Sequence, residues 1–179
     1  MNLPNRLTVL RVCMVPVFVV FMLWDGLGSA AKYVAAAIFI LASMTDWLDG
    51  YLARKNNLVT DFGKFMDPIA DKLLVCSAMI CLVEKGVLPA WIVIIIIGRE
   101  FIISGFRLVA SDKGVVIAAS YWGKFKTVSQ MLMVILLILD LGGVFNAIAQ
   151  VLIWVALVLT VVSLVDYMVK NRGVLAGDM

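Results

Sequence analysis

Apolar residues are gathered into six long runs, near 8–24, 31–50, 67–84, 89–109, 124–141 and 146–168. Each approaches the roughly 20 residues that a helix needs to cross a bilayer. Short breaks rich in glycine or charge interrupt the pattern: D-G-L-G-S at 25–29, E-K-G at 84–86 and L-G-G at 141–143. Inside hydrocarbon a backbone must satisfy its own hydrogen bonds, so runs of this kind are expected to be helices. The pattern predicts an all-α polytopic integral membrane protein with six transmembrane helices, folded as one membrane domain over residues 1–179. No internal repeat stands out. The N-terminal stretch M-N-L-P-N-R-L-T-V-L-R lacks the form of a cleaved signal peptide, because Arg11 and Pro16 interrupt its apolar region. The first run is therefore expected to be retained.

Composition supports this reading. Of 179 residues, 64% are hydrophobic, against about 45–50% in soluble domains. The basic residues then give an orientation. With six spans, both termini fall on one side, and that side takes Arg6, Arg11, Arg54, Lys55, Lys64, Lys72, Arg107, Lys113, Lys124, Lys126, Lys170 and Arg172. The other side takes only Lys32 and Lys85, while Arg99 lies within the fourth run. Both termini are accordingly expected to be cytoplasmic. Histidine is absent, so imidazole chemistry is excluded, and Cys13, Cys76 and Cys81 lie in apolar runs without metal-ligand spacing. Acid–base or metal chemistry must rest on carboxylates. Trp24, Trp47, Trp91, Tyr121 and Trp122 lie near the ends of the runs, as interfacial anchors do.

One segment breaks the apolar pattern with purpose. From Asp46 to Asp71 the chain reads D-W-L-D-G-Y-L-A-R-K-N-N-L-V-T-D-F-G-K-F-M-D-P-I-A-D. Carboxylates are costly in spanning segments and mark function there. Asp46 and Asp49 are three apart and Asp67 and Asp71 four apart, so each pair shares a helix face. With the expected orientation, both pairs lie at the cytoplasmic ends of two antiparallel neighbours. Four carboxylates in one pocket would repel one another, and hard divalent cations relieve that repulsion. Two such ions could be held, an arrangement suited to phosphoryl chemistry. Gly50 leaves room for a phosphate to approach the backbone, and Arg54, one turn on, can pair with a phosphate through two nitrogens. Gly63 is expected in a turn that comes close to the third helix. Pro68 is expected in that helix's first turn, which would put Asp67 at the helix N-terminus. The alternative is that all these are ordinary interfacial charges at helix ends.

The spacing D-x₂-D-G-x₂-A-R-x₈-G-x₃-D-x₃-D, filled here by Asp46, Asp49, Gly50, Ala53, Arg54, Gly63, Asp67 and Asp71, resembles the signature of the CDP-alcohol phosphotransferase family. The length, the six-run layout and the N-terminal L-P-N-x-L-T-x-x-R are similar to that family as well. Within it, the stretches N-L-P-N-R-L-T, F-G-K-F-M-D-P-I-A-D-K-L, G-R-E-F-I-I-S-G-F-R and G-K-F-K-T look like the branch whose acceptor is glycerol 3-phosphate. The resemblance implies transfer of a phosphatidyl group from CDP-diacylglycerol to glycerol 3-phosphate, giving phosphatidylglycerophosphate and CMP. It implies two Mg²⁺ or Mn²⁺ ions on Asp46, Asp49, Asp67 and Asp71, with Asp71 also the general base. Gly50, Arg54 and Thr60, helped by Asn5 and Thr8, would hold the CDP portion. A homodimer in the cell membrane is implied, with the active site at the cytoplasmic face and no nucleic-acid partner.

A phosphorylated acceptor needs cations of its own. Arg99 is the one arginine well inside a run, Arg107 lies two helical turns further on, and Lys124 and Lys126 open the fifth run. These four are the expected acceptor-phosphate ligands. For Arg99 the competing assignment is a structural ion pair with Glu100 or with an acid of the third span. Other acceptors stay open (inositol phosphate, phosphatidylglycerol or serine), since the acid motif handles only the shared CDP half. A reading from another class is a divalent-cation transporter, whose ion site would lie nearer the bilayer midplane.

Overall fold

The computed structural model describes residues 3–24, 26, 28–55, 61–112, 114, 117 and 120–172, with side chains described except at 3, 4, 46–55, 61–65 and 112. Six helices run in the order α1 (Leu3–Leu23), α2 (Ser29–Lys55), α3 (Asp61–Glu84), α4 (Ala90–Asp112), α5 (Tyr121–Leu139) and α6 (Gly143–Lys170). Each apolar run corresponds to one helix, but several helices extend past their run. The largest extensions surround the acid motif. α2 continues to Lys55, so Asp46, Asp49, Gly50 and Arg54 all lie on helical backbone.

α3 begins at Asp61, which corrects two expectations. Gly63 lies within α3 rather than in the preceding turn, and Pro68 is inside the helix rather than in its first turn. Asp67 is thus well inside α3, away from the dipole of its N-terminus. Polar residues can carry a helix beyond the apolar run, because hydropathy marks where hydrocarbon is and not where the backbone hydrogen bonding stops. An internal proline forfeits one backbone bond, a defect that helices of membrane proteins tolerate.

The expected breaks are real, and glycine geometry makes them. Gly86 adopts φ +69°. Its N–H donates to the Val83 carbonyl (2.9 Å), and that of Val87 donates to the Leu82 carbonyl (2.9 Å). These are the two bonds of a Schellman cap, which needs a left-handed residue at that point. The break before α6 uses Gly142 at φ +77° and Asp140 at φ +41°. The Asp140 carbonyl accepts a bond from Lys32 Nζ (3.1 Å).

The chain forms two compact units, Met1–Leu88 with Val134–Asp140, and Pro89–Met133 with Leu141–Met179. In the first, α1 packs on α2 and α3, and α2 on α3. The buried stripe of α1 is Asn5, Thr8, Arg11, Val15, Phe18 and Met22, an alternation of three and four residues that marks one helix face. It meets Ala31, Ala35, Phe39 and Ala42 of α2 and Ala70, Leu74 and Ala78 of α3. Small residues of this kind let backbones approach where no water-driven collapse brings helices together. Phe18 and Phe39 fill the remaining space, with ring centroids 5.9 Å apart.

In the second unit α4 packs on α6. Ile92, Ile96, Arg99, Ile103, Phe106 and Ala110 form the inner stripe of α4, and Ala149, Ile153, Ala156, Thr160, Ser163 and Tyr167 that of α6. Phe106 and Tyr167 stack edge to face at 5.5 Å.

What faces outward is as apolar as what is buried. Ile94, Phe101, Leu108, Val151, Val158 and Val165 are all exposed, a surface that suits lipid and that a water-soluble chain rarely shows. α1 (over Asn5–Leu23), α5 and α6 are each long and apolar enough to cross a membrane, and α2 contains a shorter apolar stretch, Ser29–Thr45. α3 and α4 have 24 and 23 residues, or roughly 35 Å at 1.5 Å per residue, so they are long enough. They differ by their charge: Asp67, Asp71 and Lys72 on α3, and Arg99, Glu100 and Arg107 on α4. Trp24, Trp91, Tyr121 and Trp122 are exposed next to helix ends, as interfacial anchors should be. Trp47 lies on α2, with its side chain outside the described residues.

Candidate active site

In the first unit the motif is carried by α2 and α3, with α1 lying against both. Asp46, Asp49, Gly50 and Arg54 occupy the last turns of α2, and their side chains are outside the described residues, as is Thr60 altogether. Asp67 and Asp71 are described. They stand one turn apart on α3, and both are half-buried. Thr8 of α1 donates from Oγ1 to Asp67 Oδ1 at 2.5 Å, a contact spanning 59 residues of sequence. Two of the expected site residues, on α1 and α3, are therefore brought together. Asn5 is buried on the same stripe, one turn before Thr8.

The bond gives Thr8 a task that its sequence assignment did not include. Its hydroxyl hydrogen goes to a carboxylate and orients it. Thr8→Val keeps the shape and removes the donor. A hydrogen bond to a charged group contributes about 1.5–3 kcal/mol, so kcat should fall by roughly ten- to a hundredfold while the protein remains folded. Steady-state turnover and thermal unfolding of the purified variant check this.

Arg11 is a residue to which sequence reasoning assigned no part in the site, placing it among the cytoplasmic charges and in the N-terminal pattern that resembles the family. It is 0% exposed, and its Nε donates to the Ala42 carbonyl at 3.2 Å, one turn before Asp46. Its position on the stripe Asn5–Thr8–Arg11 was the signal available, since an arginine in register with core residues is not a surface charge.

The second unit holds the basic residues. Arg99 is buried; its Nε donates to Ser163 Oγ at 3.1 Å and its Nη1 to Glu100 Oε1 at 2.9 Å. Lys126, only 1% exposed, also pairs with Glu100 Oε1. Two buried cations thus share one carboxylate oxygen. A lysine this deeply buried must be paired to stay charged, and Glu100 does that. Hence the ion pair weighed for Arg99 exists, and its partner is Glu100. Gly123 stands beside the guanidinium, so that a Cβ there would lie 3.3 Å from Arg99 Nη2.

The other two expected ligands do not join this cluster. Arg107 is exposed, its guanidinium 5.7 Å from the centre of the Tyr167 ring. Eight residues overshoot two full turns by roughly 80°, enough to carry it off the buried face that Arg99 occupies. Lys124 is exposed, with Nζ 5.2 Å from the Tyr121 ring centre. Two residues turn a helix by roughly 200°, so Lys124 and Lys126 look to opposite sides. Asp166 of α6 pairs with Lys170 at 2.7 Å. Glu100, Ser163 and Gly123 had not been assigned any part in the site. Glu100 was visible as a candidate partner, whereas a serine 64 residues away on α6 gave no signal at all.

The model for the CDP-alcohol phosphatidyltransferase family matches residues 1–162. The chain is 46% identical over 183 aligned positions to the CDP-diacylglycerol–glycerol-3-phosphate 3-phosphatidyltransferase of Bacillus subtilis, covering 95% of each chain. It is 45% identical over 177 positions to a probable phosphatidylglycerophosphate synthase of Mycobacterium tuberculosis, covering 98% of this chain and 84% of that one. A Haemophilus influenzae protein bearing the same name as the Bacillus one is 38% identical over 185 positions, with 99% and 97% covered. The match runs through the acid motif, the Thr8 segment and the Arg99–Glu100–Lys126 cluster alike, and on that extent the chain belongs to the CDP-alcohol phosphatidyltransferase family.

Proposed function

We propose that this protein transfers the phosphatidyl group of CDP-diacylglycerol to glycerol 3-phosphate, releasing CMP and forming phosphatidylglycerophosphate. The observation that carries the reading is the bond from Thr8 to Asp67. It ties the N-terminal segment to the acid motif and orients one of that motif's carboxylates. The names of the relatives in Bacillus subtilis and Haemophilus influenzae supply the acceptor.

The donor set fits hard divalent cations. It consists of carboxylates at Asp46, Asp49, Asp67 and Asp71, in a chain without histidine, and oxygen-only sets favour Mg²⁺ or Mn²⁺ over softer metals. Two such ions, when bound, would stabilise negative charge on the pyrophosphate and on the departing CMP. The chain's own residues do the rest. Gly50, Arg54 and Thr60, with Asn5, receive the CDP portion, and Thr8 orients Asp67. Asp71 takes the proton from the acceptor's hydroxyl as its oxygen bonds to the lipid-bearing phosphorus. The bond from that phosphorus to the CMP oxygen then breaks. Arg99 and Lys126 bind the acceptor's phosphate, with Arg107 and Lys124 in outlying roles.

The same reading sets the topology. All six helices cross the cell membrane, both termini are cytoplasmic, and the chain works as one domain, in a homodimer, at the cytoplasmic face. Purified protein with CDP-diacylglycerol and Mg²⁺ should release CMP when given glycerol 3-phosphate, and at least about tenfold more slowly with serine, inositol phosphate or phosphatidylglycerol. Release of CMP with one of those acceptors and none with glycerol 3-phosphate would reassign the substrate.

A further inference from the structure

Arg99 is held by two of its three guanidinium nitrogens. Nε is taken by Ser163, whose own hydroxyl hydrogen goes to the Thr160 carbonyl (3.0 Å) and so leaves the oxygen free to accept. Nη1 is taken by Glu100. Nη2 donates to nothing among the described residues, although it belongs to both two-donor edges of the planar group. The position facing it is glycine. A Cβ at 123 would stand 3.3 Å from Nη2 and 3.6 Å from Ser120 Oγ, in the space that an incoming anion oxygen would use to bond that nitrogen.

Helical stability does not explain this glycine. Gly123 lies in the first turn of α5, has no left-handed φ, and glycine is a poorer helix former than alanine. The two glycines of α4 are different, since a Cβ at Gly98 or Gly105 would meet nothing within 4 Å. Space beside Arg99 is what glycine provides at 123.

We infer that Gly123 is a specificity-determining position, keeping open the gap through which the acceptor's phosphate reaches Arg99 Nη2. The inference rests on the assignment of Arg99 to the acceptor phosphate. It is tested on the purified full chain with Gly123→Ala, Gly123→Leu, Arg99→Ala, the Arg99→Ala/Gly123→Ala pair and Gly105→Ala as control. Gly123→Ala should raise the KM for glycerol 3-phosphate, and the Ki of inorganic phosphate as a competitor of it, by roughly three- to tenfold; Gly123→Leu should raise both by more than about thirtyfold. The KM for CDP-diacylglycerol should stay within about twofold, and Gly105→Ala should change neither constant. With Arg99 already replaced, Gly123→Ala should add little, because the nitrogen it crowds is gone. An unchanged KM in Gly123→Ala and Gly123→Leu, an equal rise for both substrates, or an undiminished effect in the Arg99→Ala background would each overturn the inference. If Arg99→Ala alone leaves the KM for glycerol 3-phosphate unchanged, the assignment of Arg99 fails and the role of Gly123 fails with it. If Arg99→Ala raises it and the Gly123 variants do not, only the gap is wrong.

Discussion

Asp67→Ala and Asp71→Asn should each bring CMP release down by at least about a thousandfold, because each removes a negative charge from the proposed metal site. The two carboxylates are one turn apart on α3, and Asp67 already has its orientation fixed by Thr8. The variants should differ in how they respond to metal. On the proposed chemistry Asp67→Ala loses a metal ligand, so raising Mg²⁺ should recover part of the lost rate. On the same proposal Asp71→Asn also loses the base that accepts the hydroxyl proton, so added Mg²⁺ should recover much less. Rates across a Mg²⁺ titration, with unfolding temperatures to confirm folded protein, decide the matter. Full activity in Asp71→Asn would remove the proposed chemistry and favour use of the acids for ion transport, which metal flux in liposomes would then detect.

Some of this site could be read from the sequence because its constraints are local. The spacing of Asp67 and Asp71 fixes a shared helix face whatever α3 packs against. The breaks at Gly86 and Gly142 depend only on backbone geometry that few other residues adopt. Local signals failed where hydropathy was made to mark helix ends. The apolar run suggested that α3 starts close to Asp67, whereas its hydrogen bonding reaches back to Asp61, and this moved Gly63 and Pro68 into the helix. Contacts between helices far apart in sequence were not legible. Nothing near Arg99 says that Ser163 will cap its Nε, and nothing near Thr8 names Asp67. Charge alone could not separate Lys124 from Lys126 either; the register of α5 buries one and exposes the other. Arg107 shows the limit of face arguments, since a two-turn spacing drifts far enough to change a buried arginine for an exposed one.

Arg99→Ala should raise the KM for glycerol 3-phosphate by roughly ten- to a hundredfold, the range expected when a charge-assisted hydrogen bond of about 1.5–3 kcal/mol is lost, and leave that for CDP-diacylglycerol nearly unchanged. Taken alone, that result has two explanations. Arg99 could bind the acceptor's phosphate, or it could merely neutralise Glu100, whose loss of a partner would disturb the cluster and misplace Lys126. The shared oxygen provides the means to separate them, because Glu100 Oε1 accepts from both cations. If neutralisation is the whole role, Arg99→Ala combined with Glu100→Gln should recover most of the acceptor affinity, since the carboxylate that would otherwise hold Lys126 wholly to itself is then gone and Lys126 keeps an amide oxygen to bond. If Arg99 grips the phosphate, the double variant should stay as poor as the single one, because no nitrogen has been returned. Binding by Arg99 predicts the second outcome. The thermal stability of the same proteins should separate from the affinity, with Arg99→Ala less stable than wild type and the double variant less stable again, since Glu100→Gln takes from buried Lys126 the carboxylate that pairs with it. Recovered affinity in the double variant would reduce Arg99 to a structural partner of Glu100 and leave Lys126 as the cation that selects a phosphorylated acceptor.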